Sequence, residues 1–123
     1  MNRPAAGHIV LVDWRGGAMP GEPTRIRPAV VVENARVFPD EYSVTLVVPL
    51  SRDERLARSR LAVRIDPTPE NGAGATSWAL AHHVNSVSLR RVNPTQSRVT
   101  NDQLHLIRQR IALALDLPDM PQT

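Results

Sequence analysis

Three side chains of this sequence could act together on a phosphodiester: the guanidinium of Arg27, the hydroxyl of Ser51 and the carboxylate of Glu22. A fixed cation can stabilise charge that develops on a phosphate, a hydroxyl can donate a hydrogen bond to a phosphate oxygen, and a carboxylate can accept a proton. Glu22 precedes Arg27 in a segment rich in Gly and Pro and can reach the same place. On residue types alone, a surface ion pair between Arg27 and Glu22 is the simpler interpretation.

A strand pairing favours the catalytic interpretation. Arg27 begins one predicted strand, Leu50 ends the next, and the two read as antiparallel neighbours. We set Asn34 opposite Ser43, and in that register Arg27 lies opposite Leu50. Ser51 then lies beside Arg27, with opposed Cβ atoms about 5 Å apart. The sequence therefore predicts that these two side chains meet at one edge of a sheet.

His82 and His83 are adjacent, and on a strand they would point to opposite faces. The face of His82 carries large apolar side chains, which indicates a packed or interface histidine: Trp78, Leu80 and Val84. The face of His83 carries smaller residues, so His83 is the candidate for proton transfer, with an ordinary surface histidine as the alternative.

The basic side chains are all arginines, 15 in number, and the formal net charge is +3. Arginine suits phosphate recognition, because its planar fork binds phosphate oxygens in pairs. The arginines that we expect to bind the phosphates of a nucleic-acid backbone are Arg15, Arg25, Arg52, Arg55, Arg58 and Arg90. For the cluster at 52–64, a solvated charged surface explains the sequence equally well.

Several classes of function are excluded or disfavoured. The chain has no Cys, which rules out disulfides and Cys-ligated zinc. The loop with Gly16 and Gly17 lacks the ending of a phosphate-binding P-loop, and no helix carries two His at metal spacing, so we expect no metal and no cofactor. The apolar runs are far shorter than the roughly 20 residues of a membrane helix, and no export signal opens the chain. We therefore expect a cytoplasmic protein with no membrane association.

The elements that must position these residues are mostly strands. Apolar runs and alternating patterns predict strands at 7–14, 27–32, 42–50 and 61–65, with two short strands or one bent strand at 77–92. Near the end, Thr100 and Gln103 form a capping box before an amphipathic helix that Pro118 stops. The apolar face of this helix is predicted to carry Leu104, Ile107, Ile111 and Leu115. We expect a mainly β fold, a small antiparallel barrel or half-barrel of about five or six strands with a C-terminal helix.

The order and spacing of these motifs resemble the MazF/PemK toxins of type II toxin-antitoxin systems. The resemblance covers most of residues 7–117, within a single domain expected over 1–123. It rests on the apolar run before Trp14, Gly21-Glu22, the Arg27-Pro28-Ala29-Val30-Val31-Val32 block, Val47-Val48-Pro49-Leu50-Ser51, Trp78-Ala79-Leu80-Ala81-His82-His83-Val84-Asn85-Ser86-Val87 and the final helix.

This resemblance implies an SH3-like barrel, usually a homodimer, that cuts single-stranded RNA without a metal and leaves a 2′,3′-cyclic phosphate and a 5′-hydroxyl. By position, Arg27 matches the essential Arg of the family, Ser51 its hydroxyl residue and Glu22 its loop acid. A cognate antitoxin is also implied, acidic and partly disordered, laid over the Arg-rich groove. Any contact with DNA would be made through that antitoxin.

The sequence departs from the family at a few positions. Members more often carry an acid at the position of His8, Thr at the position of Ser51, and Asp-Gln in place of His82 and His83. Two other functions fit the same fold: a gyrase-binding toxin similar to CcdB, and a non-catalytic SH3-like RNA-binding module. The segment after the helix lacks the Trp expected of the first, and the scarcity of aromatic residues disfavours the second.

Overall fold

A computed structural model describes residues 3–14 and 26–118 of this chain. In these residues, seven strands are followed by one α-helix, in the order β1 (His8–Asp13), β2 (Ile26–Val31), β3 (Val44–Ser51), β4 (Ala62–Ile65), β5 (Ser77–Leu80), β6 (Asn85–Ser88), β7 (Val92–Arg98) and α1 (Asn101–Ala114). Short 3-10 turns lie at Glu54–Arg58, Ala81–His83 and Leu89–Arg91.

All strand pairs are antiparallel, and the sheet runs in the order β4-β5-β3-β2-β1-β7, with β6 also paired to β3. Strand β3 is shared: one edge pairs with β2, and the other edge pairs first with β6 and then with β5. In the part of the chain that the structure describes, β4 and β7 do not pair with each other, so the sheet is open. The predicted mainly β fold with a C-terminal helix is confirmed, but with seven strands and no closure.

Strand β7 is the element that the sequence pattern did not reveal. It contains Pro94 and mostly polar residues, and its burial alternates only weakly. Such a strand is tolerated at an edge, where one side needs no ladder partner. Its pairing with β1 supplies the register that its own side chains do not specify.

Two apolar clusters lie on the two faces of the sheet. Alternate residues of β2 divide between them: Val30 packs in the cluster beneath α1, and Ala29 and Val31 pack in the other. Strand β3 divides in the same way, since Val48 belongs to the first cluster and Val47 to the second. This alternation fixes which face each strand residue presents near the end of the sheet.

Helix α1 begins as predicted and ends earlier than predicted. Thr100 and Gln103 form the capping box, with the Thr100 hydroxyl accepting from the Gln103 amide at 3.1 Å. The helix ends at Ala114, and Asp116 adopts a left-handed conformation with φ 57° that closes it. Leu115 is consequently 60% exposed, so its predicted place on the packed face was wrong.

Candidate active site

Arg27 is the second residue of β2 and lies opposite Val12 of β1. On its other side, β2 pairs with β3 through Ala29 with Pro49 and the two pairs that follow. Extending this register by two residues puts Arg27 opposite Ser51, the last residue of β3. Residues opposite one another on antiparallel strands share a face, so the guanidinium and the hydroxyl belong to the same side of the sheet.

The predicted register was wrong by one residue. A shift of one residue would have placed residues of the two apolar clusters opposite each other, because each step along a strand changes the face. The observed register also sets Glu33 against Thr45, whose hydroxyl donates to the buried carboxylate at 2.5 Å. The correction replaces Leu50 by Ser51 as the residue opposite Arg27.

Ser51 lies at a corner of the sheet. Its hydroxyl accepts from the Asp53 amide at 3.2 Å, which turns the chain away from the sheet after β3. On the side away from β2, Ser51 pairs with the buried Trp78 of β5. The Ser51 side chain is half-buried.

A cleft of about 170 Å³ opens beside Ser51. Its floor and walls are mostly apolar, and Ser51 and Arg52 stand on its border with Pro28, Leu50, Ile9, Ile65, Asn71, Ala73, Ala75 and Ser77. Arg27 does not line it, since Arg27 and Pro28 point to opposite faces of β2. Ser51 is therefore the residue at which the Arg27 face and the cleft meet.

The far wall of the cleft is the segment between β4 and β5, and the side chain of Asn71 organises it. The buried Asn71 amide accepts from the amides of Thr68 at 3.0 Å and Ala73 at 2.9 Å, and it donates to the Asp66 carbonyl at 2.8 Å. The Thr76 hydroxyl donates to the Asp66 carboxylate at 2.8 Å. This wall is a hydrogen-bonded loop, and its importance was missed at the sequence level.

Of the arginines predicted to contact RNA, Arg52 is exposed at the border of the cleft. Arg55 is engaged by Asp53, with 2.8 Å between its nitrogen and the carboxylate, and hydrogen bonds from Arg55 hold the pKa of Asp53 below its ordinary value. Arg58 and Arg90 are exposed on two separate 3-10 turns. Arg15, Arg25 and the predicted acid Glu22 lie outside the described residues.

His82 and His83 lie on the 3-10 turn Ala81–His83 and not on a strand. The expectation that a strand puts them on opposite faces, with His82 packed, was therefore wrong, since both residues are exposed and their rings meet edge to face at 4.4 Å. The role of His83 in proton transfer stays a prediction. The turn forms where the Ala81 amide donates to the Leu61 carbonyl at 3.0 Å. Burial and the neighbouring His83 lower the pKa of His82.

Residues 3–14 and 26–118 contain no group of three His, Asp or Glu side chains that could hold a metal ion. Over the same residues, no helix is long and apolar enough to cross a membrane.

Several solved structures share this fold. A MazE-MazF structure from Deinococcus radiodurans superposes with a TM-score of 0.68 at 24% identity, covering 94% of this chain and 97% of that chain. A mycobacterial endoribonuclease in complex with its cognate antitoxin gives 0.67 at 19% identity, covering 98% and 100%. Mycobacterium tuberculosis toxin MazF-mt6 gives 0.70 at 16% identity, covering 90% and 98%. The open sheet with its C-terminal helix is thus the fold of MazF toxins.

Residues 5–115 match the family described as PemK-like, MazF-like toxins of type II toxin-antitoxin systems. The chain belongs to this family.

Proposed function

We propose that this protein is an endoribonuclease that cleaves single-stranded mRNA without a metal ion. The reaction is a transesterification: the 2′-hydroxyl attacks the adjacent phosphorus, the bond to the 5′-oxygen breaks, and a 2′,3′-cyclic phosphate and a 5′-hydroxyl remain. The observation that carries the proposal is the register that aligns Arg27 with Ser51 beside an open cleft. Membership of the toxin family supports it.

In this proposal, Arg27 neutralises the charge that develops on the phosphorane, and Ser51 donates a hydrogen bond to a phosphate oxygen. An arginine is a poor base, because its guanidinium keeps its proton at any ordinary pH. The 2′-proton therefore goes to Glu22 or to His83, and the same pair is available to protonate the leaving 5′-oxygen. Arg52, at the border of the cleft, and the other exposed arginines attract the RNA backbone.

We further propose that an acidic antitoxin neutralises the protein. We also propose that the protein acts as a homodimer, and that it acts in the cytoplasm, where the mRNA that it would cleave is found. The support for an antitoxin is the family and the MazE-MazF complexes among the similar structures. The support for a dimer is an apolar groove near the start of β3, at the end of that strand away from Ser51. The groove lies between α1 and residues 32–38. Among the described residues that line it, the one charged side chain is Arg108, and its guanidinium donates hydrogen bonds to the carbonyls of Val32 and Glu33.

The test is incubation of the pure protein with single-stranded RNA in a chelator, followed by analysis of the product ends. We expect cyclic-phosphate and 5′-hydroxyl ends from the wild type. We expect Arg27→Ala to abolish cleavage while the circular dichroism spectrum is unchanged, since a half-buried arginine at the start of a strand contributes little to the core.

Arg36→Ala is the matched control, because Arg36 is exposed in the loop at the other end of β2, and it should cleave like the wild type. An active Arg27→Ala protein would refute the assignment of this residue. RNA retained without cleavage by the wild type would support the binding module instead, and neither binding nor cleavage would support a toxin of the CcdB kind.

A further inference from the structure

The face of the sheet that carries Arg27 and Ser51 continues across two more strands. On the side of Ser51 away from β2, Trp78 of β5 lies directly opposite it, and Arg64 of β4 lies opposite Trp78. Residues opposite one another on antiparallel strands share a face. They therefore form one cross-strand row from β2 to the edge strand β4: Arg27, Ser51, Trp78 and Arg64.

The chemistry of this row differs between its two ends. Beyond Arg27 it continues with Val12 of β1 and Val92 of β7, which are apolar, and Val12 is fully buried. Trp78 is also uncharged, and only 6% of its surface is exposed. The positions of the row that can bind an anion are therefore the proposed catalytic pair and, two strands away, Arg64.

The guanidinium of Arg64 is exposed, but the loop that follows β4 holds it in place. The side chain is 65% exposed, and its Nε atom donates to the Asp66 carboxylate at 2.9 Å. The Thr76 hydroxyl donates to the same oxygen at 2.8 Å, so the carboxylate is itself fixed from the other end of the loop. The hydrogen bonds from Arg64 and Thr76 lower the pKa of Asp66, which keeps this carboxylate charged at neutral pH.

The terminal nitrogens of Arg64 are available for a ligand. Among the described residues they have no hydrogen-bond partner, since the ion pair with Asp66 uses Nε. The two terminal nitrogens belong to the planar fork that binds two phosphate oxygens at once. A guanidinium that is already oriented through Nε loses less side-chain entropy on binding than an unattached one.

The spacing within the row suits a chain of phosphates. Neighbouring strands lie ~4.8 Å apart, so the backbones at Ser51 and Arg64 are separated by about 10 Å. Single-stranded RNA carries one phosphate per nucleotide on a flexible backbone. A strand whose scissile phosphate meets Arg27 and Ser51 can therefore place the phosphate of a nearby nucleotide at Arg64.

We infer that the RNA strand crosses the sheet along this row, and that Arg64 binds the phosphate of a nucleotide on one side of the cleavage site. The inference rests on the proposed endoribonuclease function and adds a second, fixed contact to the RNA backbone. Such a contact positions the strand and reads no base, so its loss weakens the cleavage of all sequences equally.

The experiment measures kcat/KM in chelator for an oligoribonucleotide with one cleavage site, in which each other phosphate is replaced in turn by an uncharged methylphosphonate. At the position that Arg64 binds, we expect the wild type to lose roughly tenfold, the size of one charge-assisted hydrogen bond. Arg64→Ala should lose roughly tenfold on the unmodified oligonucleotide and nothing further at that position, because both changes remove the same contact.

Two further measurements distinguish a phosphate contact from a structural role. For Arg64→Ala, the slope of log kcat/KM against log salt concentration should become shallower by about 0.7, the value for one phosphate of a single strand. Single-turnover cleavage at saturating enzyme should keep the wild-type rate, because Arg64 acts in binding and not in the chemical step. Arg36→Ala, which removes an exposed arginine at the far end of β2, is the matched control and should change none of these quantities.

The outcomes separate the two proposals, with circular dichroism to confirm that each variant is folded. A wild type that cleaves no RNA overturns the endoribonuclease proposal and this inference with it. A wild type that cleaves, together with an Arg64→Ala protein of unchanged salt slope and phosphate dependence, overturns the role of Arg64 alone. An Arg64→Ala protein that cleaves normally but resists inhibition by poly-glutamate would assign this arginine to an acidic protein partner, and the inference would again be wrong.

Discussion

At the scale of single residues, the proposed site includes Ser51, at a position where the resemblance implies a threonine more often. The Ser51 hydroxyl both ends β3, by accepting from the Asp53 amide, and faces the position proposed for the phosphate. Serine lacks the methyl group that restricts the side-chain rotamer of threonine. Here the hydrogen bond from the Asp53 amide restricts the hydroxyl instead.

We expect Ser51→Ala to lower kcat for RNA cleavage roughly 10²-fold, the effect of removing one donor to a developing anion. Ser51→Thr should stay within a few fold of the wild type, because it keeps the hydroxyl. Single-turnover cleavage at saturating enzyme measures the chemical step. Equal activity of the Ala and wild-type proteins would remove Ser51 from the mechanism.

Residue types predicted part of this site and missed the rest for a physical reason. Arg27 and Ser51 were proposed because a guanidinium and a hydroxyl can act on a phosphate and a strand pairing connects them, and their catalytic role stays a prediction. Asn71 was not singled out, since a short polar side chain in a loop looks the same in the sequence whether it is solvated or buried. Its burial and its hydrogen bonds depend on how the loop between β4 and β5 folds, which no local pattern encodes.

At the scale of elements, an internal ion pair fixes the connection between β2 and β3. The Arg3 guanidinium donates to the Glu33 carboxylate at 2.6 Å, and the two side chains are 6% and 3% exposed. Arg3 also donates to the carbonyls of Tyr42 and Val44. The start of the chain is thereby tied to the far end of the strand pair that carries Arg27 and Ser51.

This ion pair predicts a dependence of stability on pH. Burial raises the pKa of Glu33, but hydrogen bonds from Arg3 and Thr45 and the charge of Arg3 outweigh it, so the pKa lies below the ordinary value of 4.5. A lowered carboxyl pKa contributes stability that is fully present above pH 4.5 and is lost as the pH falls through the folded value.

We therefore expect Glu33→Gln to lower the free energy of unfolding by about 3 kcal/mol at pH 7, because a buried Arg3 is left uncompensated. The difference from the wild type should shrink as the pH falls below the ordinary carboxyl value. Urea unfolding over this pH range measures it, with Glu70→Gln, an exposed carboxylate, as the control. A difference that stays constant with pH would contradict this account.

The elements themselves were predictable where side chains alternate in hydrophobicity or form a cap. Strands β1 to β4 and the start of α1 carry such signals. The histidine turn, the edge strand β7 and the end of α1 do not, because backbone contacts to distant residues determine them. The one-residue error in register arose because the prediction aligned loop residues and did not match the two apolar faces.

At the scale of the whole molecule, the apolar groove at the start of β3 is the surface that the proposed dimer would use. Val37 and Leu117 border it and are 63% and 56% exposed, and the nearby Leu115 is also exposed. Interfaces of homodimers are more apolar than the rest of a protein surface. A groove of this kind suits a second copy of the chain better than a charged partner.

We expect Val37→Glu to shift the protein from dimer to monomer, because burying an unpaired carboxylate opposes association. Sedimentation velocity over a range of concentrations measures the change. Gln96→Glu adds the same charge on the exposed face of β7 and should leave the association unchanged. A wild type that sediments as a monomer at all concentrations would contradict the proposed dimer.

The shared strand β3 has a consequence for valency. The groove lies near Leu46 and the cleft near Ser51, about 17 Å apart along the strand at roughly 3.3 Å per residue. Two copies joined through their grooves would therefore leave both clefts accessible, one at each outer end. A transcript released by one cleft would still be at high local concentration for the other, so that a long strand could be cut repeatedly within one encounter.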